Sequence, residues 1–427
     1  MTVYFYTHTL IAPFGSGTQI RQFTNIRAYL DLGMQVKVIH ITQKPAYKSA
    51  TLPDGAEYYP IKPDAAMVGW RHRIAYKIGF PFEDVLHVLY PDRQFIIHAV
   101  LENEKKTPGA IHHFEYPSTA NVAISLQGEK LKLIWSCHDW ESDRYLKLSR
   151  MREEAGRRKP FFERKRRLLY AKKIEKRIAK AISLVMTISE HEKRIFREKL
   201  GIDKAELLPI SWPDECPPCR SRVWAKDGMI RLLHVGSPDA MVGYYSLNFI
   251  LEDVYPLLPQ DILSRLELWI VGKIKDTPYS GRIRQLAQKY PQVKFLGFVD
   301  NIRDIYTQCD LHLVGNSVAT GLRTRIIESF VCGIPVLSVS NAAEGIVGLQ
   351  PGQNILIEDT PENFAAQITS SVIDPSSLQR LSERGRALYD HFYSRPLSSA
   401  ILGSLLAKYI FVASNSSIPP NTKDVIP

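Results

Sequence analysis

Residues 311–339 read LHLVGNSVATGLRTRIIESFVCGIPVLSV. An apolar run at 311–314 leads into a loop of small residues, then a helical pattern that stops at Gly333, then a second apolar run at 335–339. Short apolar runs that alternate with helical patterns are typical of parallel β-sheets covered by helices. This segment therefore predicts an α/β fold.

The same alternation continues in both directions along the chain. Strands are predicted at 3–7, 35–41, 110–114, 132–136 and 184–188 in the N-terminal half, and at 230–235, 266–271, 293–296 and 355–357 in the C-terminal half. We expect two facing Rossmann-like domains, each a doubly wound parallel sheet.

A chain of 427 residues is too long for one ordinary core and suits two domains. We place the N-terminal domain at 1–212, a linker rich in proline and charge at 213–228 and the C-terminal domain at 229–395. A terminal helix at 396–412 is expected to pack back on the N-terminal domain, and 413–427 is predicted to be a disordered tail.

Bulk composition is that of a globular protein, with 45% apolar and 23% charged residues. The sequence contains no uninterrupted apolar run of membrane-spanning length, and its first residues lack the basic start of a signal peptide, so we expect a cytoplasmic protein. The odd number of scattered cysteines suggests reduced thiols. We interpret Cys216-Pro-Pro-Cys219 as part of the linker, with a metal or redox pair as the alternative.

The basic surplus is concentrated in one segment, because residues 147–180 hold fifteen Lys or Arg against four Glu. Apolar residues recur there at helical spacing, which predicts a basic amphipathic helix. Its basic face is either simply solvated or attracted to an anionic membrane surface, so peripheral attachment to the inner face of a membrane is a hypothesis. Nucleic acid is not expected as a partner, because no recognised binding motif accompanies the charge.

The loop and helix at 315–333 carry the most informative chemistry. Backbone N–H groups at the start of this helix, with Gly321 allowing close approach, suit the diphosphate of a nucleotide. Arg323 and Arg325 would add charge and forked donors. Glu328 lies one turn into the helix, where it could bind ribose hydroxyls or simply pair with Arg325.

These residues also carry a family resemblance. The segment 321–345, preceded by 293–301 and 233–237, resembles the donor domain of family 4 glycosyltransferases, whose fold is called GT-B. The resemblance extends from Arg231 to Tyr393, whereas the N-terminal half is similar only in layout. It implies a nucleotide-sugar donor domain in the C-terminal half and an acceptor domain in the N-terminal half.

Single residues follow from the resemblance. Glu328 looks like the second glutamate of the family's E-x7-E signature, which binds the ribose, whereas Thr320 stands where the first glutamate is expected. The family's usual Arg and Lys after the first donor-domain strand are also absent, because Gly236 and Ser237 occupy that loop. Arg323 and Arg325 are then the natural substitutes for holding the diphosphate.

Other strand ends complete the candidate donor site. Phe298 and Val299 match the family's base-binding loop, and Lys273 ends another strand near the expected phosphates. The full set of donor-binding candidates is Gly15, Gly17, Gly236, Ser237, Lys273, Phe298, Val299, Thr320, Gly321, Leu322, Thr324 and Glu328.

In the N-terminal half, Gly15 and Gly17 form a loop that, in the resembling family, admits the sugar phosphate, and Arg21 follows one turn later. His138 stands at the carboxyl end of a strand, where it is placed to meet the sugar, a packed or surface histidine being the alternative. His138, Arg323 and Arg325 are the catalytic candidates. His112, His113 and Glu115 close a neighbouring strand and could line the acceptor side.

The resemblance implies transfer of a sugar from a nucleotide diphosphate sugar to a hydroxyl of a glycan or lipid-linked acceptor, in polysaccharide or glycolipid biosynthesis. It further implies retention of configuration without a metal or separate cofactor, although Thr320 leaves the stereochemical outcome open. The alternatives are a nucleotide-sugar epimerase and an inactive nucleotide-sugar-binding protein.

Overall fold

The computed structural model describes part of the chain in detail. The described residues are 1–13, 15–42, 51–63, 90–138, 140, 142, 145–146, 149, 161–213, 224–315 and 321–411, with the backbone alone at 161–167. Within this part the chain divides into two compact units, of which unit 1 comprises Met1–Pro213 and Arg395–Pro427, and unit 2 comprises Asp214–Ser394.

Unit 1 is built on a seven-stranded parallel sheet with the order β3-β2-β1-β4-β5-β6-β7. Its strands are β1 (Thr2–Thr7), β2 (Gln35–Ile41), β3 (Ala56–Ile61), β4 (Ile111–Glu115), β5 (Lys132–Ser136), β6 (Leu184–Thr187) and β7 (Ala205–Leu207). Its α-helices are α1 (Gly17–Asp31), α2 (Arg93–Lys106), α3 (Tyr116–Ala120), α4 (Phe161–Ala181) and α5 (Glu190–Arg194). Shorter helical turns follow α3 at Asn121–Ile124 and α5 at Ile195–Lys199.

Both faces of this sheet are covered by apolar side chains. Successive strand residues point to opposite faces, so Val3 and Phe5 of β1 join one core cluster while Tyr4 and Tyr6 join the other. A parallel sheet buried on both faces is the doubly wound arrangement, and it places the loops that follow the strands along one edge.

Unit 2 contains a six-stranded parallel sheet with the order β10-β9-β8-β11-β12-β13. Its strands are β8 (Ile230–Val235), β9 (Leu266–Val271), β10 (Val293–Gly297), β11 (Leu311–Val314), β12 (Val336–Ser338) and β13 (Leu356–Ile357). Its α-helices are α6 (Met241–Asn248), α7 (Gln260–Leu263), α8 (Pro278–Ala287), α9 (Ile302–Tyr306), α10 (Thr324–Val331), α11 (Ser340–Ala343), α12 (Pro361–Ile373) and α13 (Ser376–Phe392). Further turns are found at Lys226–Gly228, Phe249–Val254 and Tyr255–Leu257.

The end of the described chain packs on unit 1. Helix α14 (Arg395–Leu406) continues as a wider turn at Ala407–Phe411, and Leu402 and Leu406 are fully buried in the core of unit 1. Arg395 also forms an ion pair with Asp31 of α1. The expected tail at 413–427 lies outside the described residues, as does most of the expected linker, including Cys216 and Cys219.

The expected α/β class with two parallel-sheet domains is confirmed. Sequence patterns missed β3 and β7, which lie at the two edges of the first sheet. Strand β3 is largely exposed and β7 has only three residues, so neither shows a long apolar run.

Helix α4 contains the second half of the basic segment. Ile174 and Ile178 are buried against the core, whereas Lys172, Lys176 and Lys180 are exposed. The helix is therefore amphipathic over the turns whose side chains are described. Among the described helices, none is both long enough and apolar enough to cross a membrane.

Candidate active site

Three glycines bring the ends of neighbouring strands together in unit 2. The Gly236 N–H donates to the Val271 carbonyl, and the Gly272 N–H donates to the Gly297 carbonyl, each at 2.8 Å. Gly272 has φ +156°, and a Cβ placed there would lie 2.6 Å from the Gly236 oxygen. A side chain at this position would force the two loops apart, so glycine is required for their close approach.

Two candidate donor residues meet on these loops. The Lys273 ammonium lies over the Phe298 ring, 4.7 Å from its centroid. The Phe298 side chain is 62% exposed, which is unusual for a large aromatic residue, whereas neighbouring Val299 packs against the core. An exposed ring beside an ammonium is suited to stacking against a base with a phosphate close by.

Ser237 lies where helix α6 approaches the end of β8. A Cβ added to Gly243 of α6 would come within 2.2 Å of the Ser237 carbonyl oxygen. On the other side, the Gly315 N–H at the end of β11 donates to Ser246 Oγ of α6 at 2.9 Å. Helix α6 therefore fixes the loops that follow β8 and β11 at the same edge of the sheet.

Helix α10 begins at this edge, with Gly321, Leu322, Arg323 and Thr324 forming its entry. Gly321 adopts φ +75°, a backbone conformation that favours glycine, and Arg323 is the residue that precedes the first helical turn. Thr320 lies outside the described residues, so its expected place near the sugar stays a prediction.

Glu328 is buried inside α10 and is bound by two groups. Its Oε2 accepts a hydrogen bond from Arg325 Nη1 and another, at 3.1 Å, from the Tyr306 hydroxyl. Burial would lower the pKa of Arg325, but the Glu328 carboxylate outweighs burial and raises it. The pairing that sequence alone left open is thus present, with the Glu328 carboxylate buried and the Arg325 side chain half-buried.

A second cluster forms around Glu115 at the carboxyl end of β4 in unit 1. Glu115 Oε1 accepts from His113 Nε2 at 2.9 Å and from Asn25 Nδ2 at 3.2 Å, and Oε2 contacts His138 Nε2. Burial would raise the pKa of Glu115, but the two histidines lower it to about 2. Glu115 is therefore a carboxylate at neutral pH.

The loop at the start of α1 contacts the same cluster. Thr18 hydrogen-bonds the Tyr116 hydroxyl, and the Tyr116 ring stacks on the His138 ring with centroids 4.3 Å apart. Tyr116 thus links His138 to the start of α1.

The residues of this loop have local structural roles, and the contact of Gly15 and Gly17 with a sugar phosphate stays a prediction. Gly15 admits the Gln19 side chain, because a Cβ at Gly15 would lie 2.3 Å from Gln19 Oε1, and Ser16 and Gln19 form the capping box of α1. Gly17 is the first residue of that helix. Arg21, one turn later, is fully buried and donates to the Leu208 carbonyl.

One group of residues at this edge was missed from sequence. His8, just after β1, lies 3.2 Å from Ser118 Oγ through Nδ1 and 3.6 Å from Asp92 Oδ2 through Nε2. Burial lowers the pKa of His8. A histidine directly after the first strand was the available signal.

Two family models match the chain. The model described as Glycosyltransferase Family 4 matches residues 16–210, and the model described as Glycosyl transferases group 1 matches residues 230–374. A comparison with curated protein sequences gave no match.

Solved structures share the fold at low sequence identity. Sucrose-phosphate synthase from Thermosynechococcus elongatus is 17% identical, with coverage of 97% of this chain and 100% of that chain and a TM-score of 0.68. HepE of Anabaena in complex with UDP is 13% identical, with coverage of 95% and 99% and a TM-score of 0.65. An S. aureus TarM variant is 10% identical, with coverage of 95% and 99% and a TM-score of 0.68.

The two matched ranges together cover most of unit 1 and most of unit 2. The chain therefore belongs to the glycosyltransferases of GT-B fold, with a family 4 N-terminal domain and a group 1 C-terminal domain.

Proposed function

We propose that the protein transfers a sugar from a nucleoside diphosphate sugar to a hydroxyl group. The observation that carries this proposal is the cationic carboxyl edge of unit 2, where Lys273 follows β9 and Arg325 lies at the start of α10, which follows β11; β8 lies between these two strands. Uridine is the base we favour, because HepE and TarM are described in complexes with UDP.

In this proposal the diphosphate binds at the start of α10. Gly321 leaves the backbone accessible there, and the guanidinium groups of Arg323 and Arg325 neutralise charge as the diphosphate departs. The Arg325–Glu328 ion pair restrains the Arg325 side chain before substrate arrives, so less rotamer freedom is lost on binding. In this proposal the carboxylate of Glu328, whose side chain is 2% exposed, accepts a hydrogen bond from a ribose hydroxyl.

The base stacks on Phe298 and the ammonium of Lys273 lies beside it. Stacking on an aromatic ring contributes about 1–3 kcal/mol per base in single-stranded nucleic acid complexes, and a similar gain is expected here. The backbone at Gly236, Ser237 and Val299 would then read the polar edge of the base and the nearby phosphate.

The reaction proposed here retains the configuration at the anomeric carbon and uses neither a metal nor a separate cofactor. Arginine side chains and helix N–H groups take the role of stabilising the leaving diphosphate. The departing phosphate accepts the proton of the acceptor hydroxyl, so that a protein base is not needed for that step.

A glycan or lipid-linked acceptor is proposed for unit 1, in polysaccharide or glycolipid biosynthesis. Support for a membrane-bound acceptor comes from the exposed lysines of α4, which can approach acidic headgroups while Ile174 and Ile178 stay in the core. Sedimentation with vesicles of anionic lipid at low salt tests this point. Failure to sediment would contradict the proposed membrane attachment, but it would not affect the proposed sugar transfer.

A thermal-shift panel of nucleoside diphosphates and nucleotide sugars tests the donor site. We expect stabilisation by one nucleoside diphosphate in the wild-type protein and in Arg284→Ala, whose guanidinium forms an exposed ion pair with Asp276. Arg325→Ala and Glu328→Ala should lose that stabilisation. No stabilisation by any compound would refute the assignment, and binding without transfer to any acceptor would indicate an inactive binding protein.

A further inference from the structure

Both oxygens of the Glu115 carboxylate bind groups of the protein. It is 1% exposed, and its two oxygens are shared among His113, His138 and Asn25. His113 is itself held from the other side, because its Nδ1 lies 2.9 Å from the Tyr29 hydroxyl. The carboxylate therefore has little freedom to rotate and offers His138 an acceptor at a fixed place.

The next residue holds the same imidazole from its face. Tyr116 has φ 64°, which is uncommon for a residue with a bulky side chain. This conformation lays the Tyr116 ring flat on His138, with an interplanar angle of 13°. The Tyr116 hydroxyl is in turn fixed by Thr18 at the start of α1.

These contacts decide which edge of His138 is available to a ligand. Its Nε2 faces an ionised carboxylate, which can only accept a hydrogen bond. Nε2 therefore carries a proton and donates a hydrogen bond to Glu115. Its Nδ1 has no hydrogen bond within the part of the chain that the structure describes, while the side chain keeps 5% exposure. In the neutral ring, Nδ1 is then an acceptor.

We propose that Glu115 and Tyr116 are positioning residues that hold His138 as its Nε2–H tautomer, so that Nδ1 accepts a hydrogen bond from a sugar hydroxyl. The inference rests on the proposed glycosyl transfer and adds how unit 1 recognises the sugar. A carboxylate that fixes the tautomer of a histidine is a known way to orient one ring nitrogen toward substrate.

A second Glu–His pair, between Glu104 of α2 and His112 of β4, provides a matched control. Glu104 Oε2 lies 3.0 Å from His112 Nε2, but His112 is fully buried and its Nδ1 is taken by the Tyr6 hydroxyl. Glu104→Gln removes a carboxylate from a histidine without touching His138. It should therefore leave activity unchanged within about twofold, because both nitrogens of the buried His112 are taken by protein groups and cannot reach a ligand.

The test combines kinetics with nitrogen NMR of protein labelled with ¹⁵N-histidine, in which His138→Asn identifies the signal. In the wild-type protein, measured where the His138 ring is neutral, we expect a protonated Nε2 and an unprotonated Nδ1. In Glu115→Gln the His138 signal should shift toward a mixture of tautomers, and kcat/KM should fall on the order of 10²-fold, with nucleoside diphosphate binding retained.

Tyr116→Leu covers the case in which Glu115→Gln fails to fold. It removes the stacking ring while keeping a non-glycine residue at positive φ, and kcat should fall about tenfold with little change in the KM for the nucleotide sugar. A protonated Nδ1 in the wild-type protein, or equal activity in Glu115→Gln and Glu104→Gln, would overturn the proposal. Absence of transfer in the wild-type protein alongside the expected tautomer would instead count against the proposed function.

Discussion

Two buried glutamates lie near the carboxyl edges of the two sheets, Glu115 in unit 1 and Glu328 in unit 2. Their negative charges are neutralised in different ways. Glu328 is held by the guanidinium of Arg325 and the hydroxyl of Tyr306, whereas Glu115 is held by two imidazoles and an amide. Arginine stays charged at any pH that the protein meets, whereas histidine exchanges protons near neutrality. The buried glutamate of unit 2 thus pairs with a permanent positive charge, whereas the buried glutamate of unit 1 orients a hydrogen-bonding imidazole.

The largest effect is expected at the charged pair. Arg325→Ala removes a donor for the leaving diphosphate and leaves Glu328 buried without its cation, so kcat/KM should fall on the order of 10³-fold. Steady-state kinetics measure this, with Arg284→Ala as the matched exposed ion pair. Equal losses in both variants would show that Arg325 has no special role.

Acid should lower the stability of the fold through Glu115. The folded-state pKa of Glu115, about 2, lies below its ordinary 4.5, so the carboxylate stabilises the fold above pH 4.5 and this contribution is lost as the pH falls toward 2. It is worth at most about 3 kcal/mol. Urea unfolding near neutral pH and at roughly pH 3.5 measures the loss. Glu115→Gln should flatten the dependence, and an unchanged slope would contradict the ionised pair.

A smaller effect is expected at the exposed ring. Phe298→Ala should weaken nucleoside diphosphate binding by about 1–3 kcal/mol through lost stacking, with little change in thermal stability because the side chain is exposed. Ile373→Ala, at an equally exposed apolar residue, is the control. Calorimetric titration checks both variants. Unaltered affinity in Phe298→Ala would show that the base does not stack on Phe298.

The smallest effect belongs to Lys273. Because its ammonium is exposed, Lys273→Ala should weaken binding only by roughly 0.2–1 kcal/mol, and the difference should shrink as salt is added. Titration at low and high ionic strength measures it. An effect that persists at high salt would mean that Lys273 binds the phosphates more closely than the surface geometry indicates.

Sequence reasoning found the donor edge because its signals are local. The loop and helix at 321–333 form one continuous motif, and Arg325 and Glu328 lie three residues apart on one helix. The strands of both sheets were also predictable from short apolar runs, except at the sheet edges, where β3 is exposed and β7 is very short.

Sequence reasoning placed Glu115 and His138 at neighbouring strand ends, but the contact between them was beyond sequence alone. Glu115 and His138 are 23 residues apart, and they meet because β4 and β5 pair with Glu115 opposite Ser136. Neither the register of two strands nor the positive φ of Tyr116 is encoded in a motif. The burial of Arg21 was likewise invisible, since a helix position alone does not reveal which loop covers it.

Hydrogen–deuterium exchange with and without UDP tests the central claim, that unit 2 binds the donor at the carboxyl edge of its sheet. We predict slower exchange in the loops after β8, β9 and β10 and at the start of α10. The opposite edge of the same sheet has a cavity of about 400 Å³ beside Arg231, Glu267 and Lys294, whose charges pair with one another. Slower exchange around that cavity, and not at the carboxyl edge, would contradict binding of the donor at the carboxyl edge.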